Sequence, residues 1–444
     1  MRPRLIGGVM EERSGAPSLP CLGNRRAHRT LDAACAGFCA AGRPVALPRA
    51  ASVIAFQSPQ RHIMTTYKQT AHAPRFVDDG ERPLTPYELA TLRPSLGTGE
   101  RPPAMAELAS RRPVYVCADG SPPKPEIRRM DGAAEDLWRV DVPVGPEGEV
   151  FLPGRTALRS DPRELLSGID SEVDLQACRP EWLDLFHVPR VLPRRSREPM
   201  RRANGDLVEP GVDPRFVFGD DNRQELNETS WPWGCVGKIV NSEGQHGAGA
   251  LVGNRLVLTA AHAIPWSDAA AGNWWMRFVP TYWNGQSLHG AGVQSYVSDA
   301  TAFPDSTSTA HDWAVCRLYE PLGTSDRLGH FGTRPYNPAW NGQRIWYHMG
   351  YPINDWFLGT SFQSGISIDA TYSGDHGGLE CEHYGDTTDG NSGGPMFAFF
   401  GAGNPRIIAV HAFGAVNEDD TRVNVAAGGP GLDKLVAWAR TNWP

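Results

Sequence analysis

Thr388-Asp389-Gly390-Asn391-Ser392-Gly393-Gly394-Pro395 sets one serine in a run of glycines. A serine hydroxyl is a weak nucleophile near neutral pH. It needs an adjacent base, and that base needs a third group to fix its tautomer. Upstream, in order, stand Thr259-Ala260-Ala261-His262 and His311-Asp312-Trp313-Ala314-Val315. A lone histidine after an apolar strand is ordinarily structural, and a glycine-rich stretch alone is ordinarily a turn. A base, an acid and a nucleophile together, each in a patterned neighbourhood, outweigh those readings.

The local patterns say where each residue sits. Leu251-Val252 and Leu256-Val257-Leu258-Thr259 are short apolar runs split by Gly253-Asn254, which reads as a hairpin with His262 just past a strand end. Asp312 opens Trp313-Ala314-Val315-Cys316-Arg317-Leu318, a half-buried strand by its pattern. Gly390 and Gly393 permit a tight backbone that aims successive N–H groups at one point. The amides of Gly390 and Ser392 are therefore candidates for an oxyanion hole, worth roughly 3 kcal/mol per donor. Near the end of the chain, Leu432, Leu435, Val436 and Ala439 recur at helical spacing and predict a terminal helix with one apolar stripe.

These segments resemble the chymotrypsin-like (trypsin-like) serine peptidases, through TAAH at the histidine, DWAV at the aspartate and GNSGGP at the serine. The likeness spans about residues 217–444. It implies an all-β fold of two antiparallel barrels with a C-terminal helix, preceded by an N-terminal extension or propeptide. It also implies His262 as general base, Asp312 as its orienter and Ser392 as nucleophile. The serine equally satisfies the G-x-S-x-G expression of lipases and esterases, but there the order is serine, acid, histidine. Here both partners precede the serine, and His411 alone among histidines follows it. An esterase on the same triad, or a pseudopeptidase that only binds, stands behind the endopeptidase.

Substrate preference is less sharply written. The glutamyl endopeptidases and their bacterial and fungal relatives are the subgroup most resembled: Arg215-Phe216-Val217-Phe218-Gly219-Asp220-Asp221-Asn222-Arg223 is similar to their mature start, and Trp231-Pro232-Trp233 to their first strand. In that likeness Thr387 and His411 bind an acidic side chain, and Ala412 to Gly414 offer backbone to the substrate strand. An imidazole and a hydroxyl can both donate to a carboxylate. Asp386, six residues before Ser392, cuts against this, because it falls where trypsin carries the aspartate that selects Arg or Lys. Either Asp386 points away, or it pairs with His411, or the enzyme cuts after basic residues. Asn391 stands where pancreatic-type enzymes carry the aspartate that binds a new N-terminus, so that activation switch is expected to be absent.

The front of the chain divides in two. Residues 64–216 read as a propeptide or N-terminal extension, with an exposed basic stretch Val191-Leu192-Pro193-Arg194-Arg195-Ser196-Arg197 and Met200-Arg201-Arg202 open to cleavage. Trp138–Val144 and Glu149–Pro153 look like short strands, and Asp161–Leu166 and Pro180–Phe186 like helical turns. Residues 1–63 carry nine arginines against three acids without periodicity, a disordered, targeting or mis-annotated start. Ala33–Gly42 after Arg25-Arg26 is a faint export signal, and Met64 an alternative start.

Composition narrows the class. Twelve of the fourteen tryptophans follow residue 217, so the main core is expected there. No run reaches the roughly 18–20 apolar residues of a membrane span. A formal charge of −7, without a basic face in the peptidase region, argues against a nucleic-acid partner. Of eight cysteines only Cys235, Cys316 and Cys381 fall after residue 217, allowing one pair at most there and leaving Cys117 and Cys178 to pair in front. Acids and histidines around Asp375-His376 and Glu380–His383 lack a metal-site spacing, so no metal and no cofactor are expected. The expected protein is a secreted or periplasmic serine endopeptidase acting on proteins or peptides, with an intramolecular propeptide as its other partner.

Overall fold

The computed structural model describes residues 82–111, 174–192 and 217–444, except 271–273, 304–307, 354–356 and 418–419, together with Pro162 and Leu166. It also gives the backbone of short strands at 4–5, 126–129, 137–141, 150–153, 157–160, 200–201 and 207–208. The disordered start expected for residues 1–63, the Ala33–Gly42 signal and the basic cluster 193–202 fall outside the described residues, save those backbone pieces.

Two barrels carry the core. The first is built from β2 (Val236–Asn241), β3 (His246–Gly253), β4 (Leu256–Thr259), β5 (Met276–Pro280), β6 (Ser295–Ala302) and β7 (Ala314–Leu318), all preceded by a short β1 (Gln224–Leu226). Its strands run in the order β5-β2-β3-β4-β7-β6, and β6 pairs back onto β5, closing a six-stranded antiparallel ring. The expected hairpin is β3–β4, with Leu251 opposite Val257 and an irregularity at Gly253 where the chain reverses. Closure removes the exposed strand edges that invite mispairing.

The second barrel uses β8 (Trp346–Gly350), β9 (Thr360–Ile366), β10 (Ile368–Ser373), β11 (Leu379–His383), β12 (Pro395–Phe399), β13 (Pro405–Val416) and β14 (Arg422–Gly428). Its sheet runs β10-β11-β14-β13-β12-β8-β9. Only Ser367 separates β9 from β10. The two ends of the sheet are thus halves of one bent strand, and the sheet returns on itself. The fold is the expected all-β double barrel.

The terminal helix, α3 (Pro430–Asn442), follows as the spacing predicted. Leu432, Leu435, Val436 and Ala439 are fully buried, and the helix lies against β3, β4 and β7. This explains why all four residues of β4 are buried: one face looks into the barrel and the other is covered by α3. The strand opened by Trp313 is likewise more buried than its pattern implied.

Two pieces of the front region belong to the same body. Helix α1 (Pro86–Thr91) starts with a capping box, Glu88 N–H donating to Thr85 Oγ1 and Thr85 N–H to Glu88 Oε2, and α2 (Pro103–Ser110) starts with a proline at its first position. Leu84, Leu89, Met105, Leu108, Leu183 and Leu185 are buried in one cluster with Trp231 and Trp233. Each such side chain contributes roughly 1.5–3 kcal/mol on burial.

Some local expectations differ from the fold. Pro180–Phe186 forms a turn leading into a bridge between Leu185 and Ser95, because its buried leucines are claimed by neighbouring chain rather than by a helix. Trp231–Trp233 is no strand; Trp233–Cys235 is a 3-10 turn, and the first barrel strand starts at Val236. The expected short strands exist at Leu137–Asp141 and Val150–Pro153, paired with each other. Cys178, Cys235, Cys316 and Cys381 are free thiols, so the expected pairing of Cys178 with Cys117, which lies outside the described residues, is not formed.

Candidate active site

Strand register brings the first two residues together. Thr259 of β4 pairs with Ala314 of β7, so the turn Ala261–Ala263 carrying His262 and the residue Asp312 occupy the same barrel end. Asp312 Oδ2 lies 2.6 Å from His262 Nδ1, and Asp312 Oδ1 accepts the His262 backbone N–H at 2.9 Å. The carboxylate thus fixes both the ring and the backbone that carries it. The side chain of Asp312 is 7 % exposed and that of His262 46 %, leaving the imidazole's outer edge open to a reactant. Burial alone would lower the imidazole's pKa, but the charge and hydrogen bond of Asp312 outweigh it and raise the value. Burial pushes Asp312 up, and the bond to His262 more than reverses this, holding the carboxyl below its usual range.

The serine loop joins β11 to β12 and packs against the strand that leads to His262. The N–H of Ala248 donates to Ser392 O at 2.7 Å. Gly393 has φ +80°, and a Cβ there would meet Thr259 Oγ1 at 2.2 Å and Ala248 O at 2.3 Å. Only glycine lets the loop of the second barrel approach the first this closely. Gly390, at φ +91°, would put a Cβ 2.4 Å from Tyr351 O. Gly393 N–H donates to His411 O, and Asn391 N–H to Thr388 O. Among the described residues the N–H groups of Gly390 and Ser392 donate to no protein acceptor. The serine's own amide and that of Gly390 are therefore available to an incoming oxygen.

Beside this loop, polar atoms are buried without partners. Thr387 is fully buried with Oγ1 unpartnered, and His411, 4 % exposed, has Nδ1 unpartnered. The His411 ring lies 5.6 Å from that of His348 and 5.8 Å from that of His383, forming a buried column of imidazoles. Burial pushes His348 and His383 down to about 3, and His411 well below its usual value with help from its neighbours' charges. The column is uncharged at neutral pH. Gly414 lies on β13 opposite Asn424, after the irregularity between His411 and Phe413, and beyond it Ala415 and Val416 pair with Leu5 and Arg4.

Asp386 faces elsewhere. Its Oδ1 accepts the N–H of Phe218 at 2.9 Å and its Oδ2 the N–H of Asn222 at 2.7 Å, while its own N–H donates to Gln363 Oε1 at 2.6 Å. Burial pushes its pKa up against those two bonds. Arg223 completes the attachment, holding Asp221 through two nitrogens and donating to Thr388 Oγ1 at 2.7 Å. Asn391 is buried against Gly350, its Oδ1 accepting from Ser361 Oγ at 3.2 Å.

Residues 221–430 match the family model described as Trypsin. Residues 221–430 are thus a trypsin-like serine peptidase domain. It is a serine-type peptidase and a hydrolase. Among solved structures, it is similar to a Glu endopeptidase in complex with MPD, at 18 % identity and TM-score 0.41, over 51 % of this chain and 100 % of that one. It is also similar to the thermostable serine protease AL20 from an extremophilic microorganism, at 21 % identity and TM-score 0.36, over 47 % of this chain and 98 % of that one. No curated protein matches the sequence.

Several residues around the peptidase site carry no signal in the sequence. His348 and His383 are isolated histidines within β8 and β11, and only the barrel's closure brings them to His411. Gln363 reaches Asp386 from β9. No helix among the described residues is long and apolar enough to cross a membrane.

Proposed function

We propose that the peptidase cuts polypeptides internally through Ser392, His262 and Asp312, with a preference for acidic residues before the cut. The 2.6 Å pairing of Asp312 with His262 Nδ1 is the observation that carries this reading. With Nδ1 donating to the carboxylate, Nε2 is left as the basic nitrogen of the exposed edge. Ser392 Oγ attacks the substrate carbonyl carbon as its proton passes to His262, and the oxyanion receives hydrogen bonds from the Gly390 and Ser392 amides. The imidazolium, stabilised by Asp312, gives its proton to the departing amine. Water then hydrolyses the acyl-enzyme by the same proton path in reverse.

The acidic preference is supported by unpaired donors. Buried polar groups without partners are costly, roughly 1–3 kcal/mol each, and a substrate carboxylate seated between Thr387 and His411 would satisfy both. Asp386, bonded to two backbone amides, is already supplied with the positive ends of dipoles that a substrate Arg or Lys would otherwise provide. Gly414 is assigned to the backbone that pairs with the substrate. Export to the periplasm or medium, with residues 64–216 as a propeptide or an extension that stays attached, completes this reading, and fractionation of host cells checks the export.

Matched reporter peptides differing only in Glu or Arg before the cut test the preference. Faster turnover of the Glu peptide supports it, and exclusive cleavage after Arg rejects it. Ester turnover without peptide cleavage would point to the esterase, and no turnover or fluorophosphonate labelling to a binding pseudopeptidase.

A further inference from the structure

Residues 82–111 and 174–192 precede the peptidase domain in sequence, yet they are stitched to it by main chain. Leu84 N–H donates to Phe399 O at 2.8 Å, Cys178 and His330 exchange both backbone bonds at 2.9 and 3.0 Å, and Leu192 N–H donates to Glu225 O at 2.8 Å. Side chains lock the same contacts. Arg190 grips the buried Glu228 through two nitrogens at 2.8 and 3.0 Å, and Trp182 Nε1–H donates to Arg327 O at 2.7 Å.

These contacts span both barrels. Gly292, between β5 and β6 of the first barrel, is pressed so closely by α2 that a Cβ would lie 2.3 Å from Leu108 O. Phe399 ends β12 of the second. Among the described residues, no hydrogen bond or ring contact of this segment reaches His262, Asp312, Ser392, Thr387 or His411. His262 and Asp312 belong to the first barrel and Ser392 lies in the second, so a tie across both, by pieces that make no such contact with the site among the described residues, is suited to keep its two halves aligned.

We propose that residues 82–192 act, through these two pieces, as a clasp across the barrels that stays bound when the chain is cut between Leu192 and Val217. The working enzyme is then a two-chain complex whose non-catalytic partner is its own N-terminal segment. A blocking propeptide needs contact with the cleft and release on cutting. The described pieces make no hydrogen bond or ring contact with those cleft residues, and their apolar side chains share one core with Trp231 and Trp233. Separating it would expose six buried side chains and unpair several backbone amides together.

The test inserts a recognition sequence for a site-specific protease between Leu192 and Val217 of the full chain carrying Ser392→Ala. After cutting, a denaturing gel should show two fragments, while native elution and native mass spectrometry should show one species of uncut mass. The double variant Leu84→Asp, Leu185→Asp should release the front fragment under the same conditions. In the Ser392 parent, fluorophosphonate labelling should stay within about twofold of the uncut rate. A front fragment that elutes separately after cutting overturns the proposal, as does a many-fold rise in labelling that accompanies its release. Co-elution is read without turnover, so failure of the catalytic assignment and failure of the clasp remain distinguishable.

Discussion

The Asp386 carboxylate accepts the backbone N–H of Phe218 at 2.9 Å, across 168 residues of sequence. The acid that falls by counting at the position selecting basic substrates is thereby turned to the chain entering the domain. Replacing it should loosen that entry rather than switch specificity. Asp386→Ala leaves the amides of Phe218 and Asn222 without their acceptor, at a cost of about 1–3 kcal/mol. The expected result is a lower melting temperature, with the ratio of Glu to Arg reporter cleavage changed only a few-fold. Loss of an Arg-directed activity in this variant would instead place Asp386 at the floor of a basic pocket.

Thr387 and His411 should carry the acidic preference. A hydrogen bond to a charged group contributes roughly 1.5–3 kcal/mol, so Thr387→Val should lower kcat/KM for the Glu reporter about tenfold to a hundredfold. The matched Gln reporter should change less. Equal losses on both reporters would show that the hydroxyl supports the loop and not the substrate carboxylate.

Activity should fall on acidification, because only neutral His262 can accept the serine proton. Its pKa is raised above 6.5 by Asp312, so the acidic limb of kcat/KM should have its midpoint above 6.5. Asp312→Asn removes both the charge and the acceptor that cause the rise. The limb should then move to lower pH, and kcat should drop by about ten-thousandfold. An unshifted limb would mean that another group governs it.

The histidine column makes a separate claim on stability. His348 and His383 are held to about 3 in the fold, against 6.5 when unfolded, by burial above all. Between those values the unfolded chain binds more protons than the native one, so stability is fully present above about pH 6.5 and declines as pH falls toward 3. Thermal melts followed by circular dichroism should show that decline. His383→Leu should flatten it, and an unchanged slope would remove the column from the account.

How far these features were legible depended on distance along the chain. His262, Asp312 and Ser392 announce themselves because their neighbours obey local constraints: a hairpin before the histidine, a strand after the aspartate, glycines where the serine loop touches Thr259 and Ala248. The stripe on α3 was readable for the same reason. Asp386 was ambiguous because its partners Phe218 and Asn222 are set by tertiary folding, and no spacing links His348 and His383 to His411. The same holds for Pro180–Phe186, whose leucines read as helix-like until Ser95 and Trp231 are seen to pair with Leu185.

In the proposed mechanism Ser392 is the nucleophile. Measuring kcat/KM on the Glu reporter together with fluorophosphonate labelling, for the parent chain and for Ser392→Ala, tests it most directly. The parent should label at a single residue, Ser392, while the variant takes up no label and loses at least about a thousandfold in turnover. A Ser392→Ala chain that still labels, or that cleaves the reporter at the parent rate, would contradict the assignment.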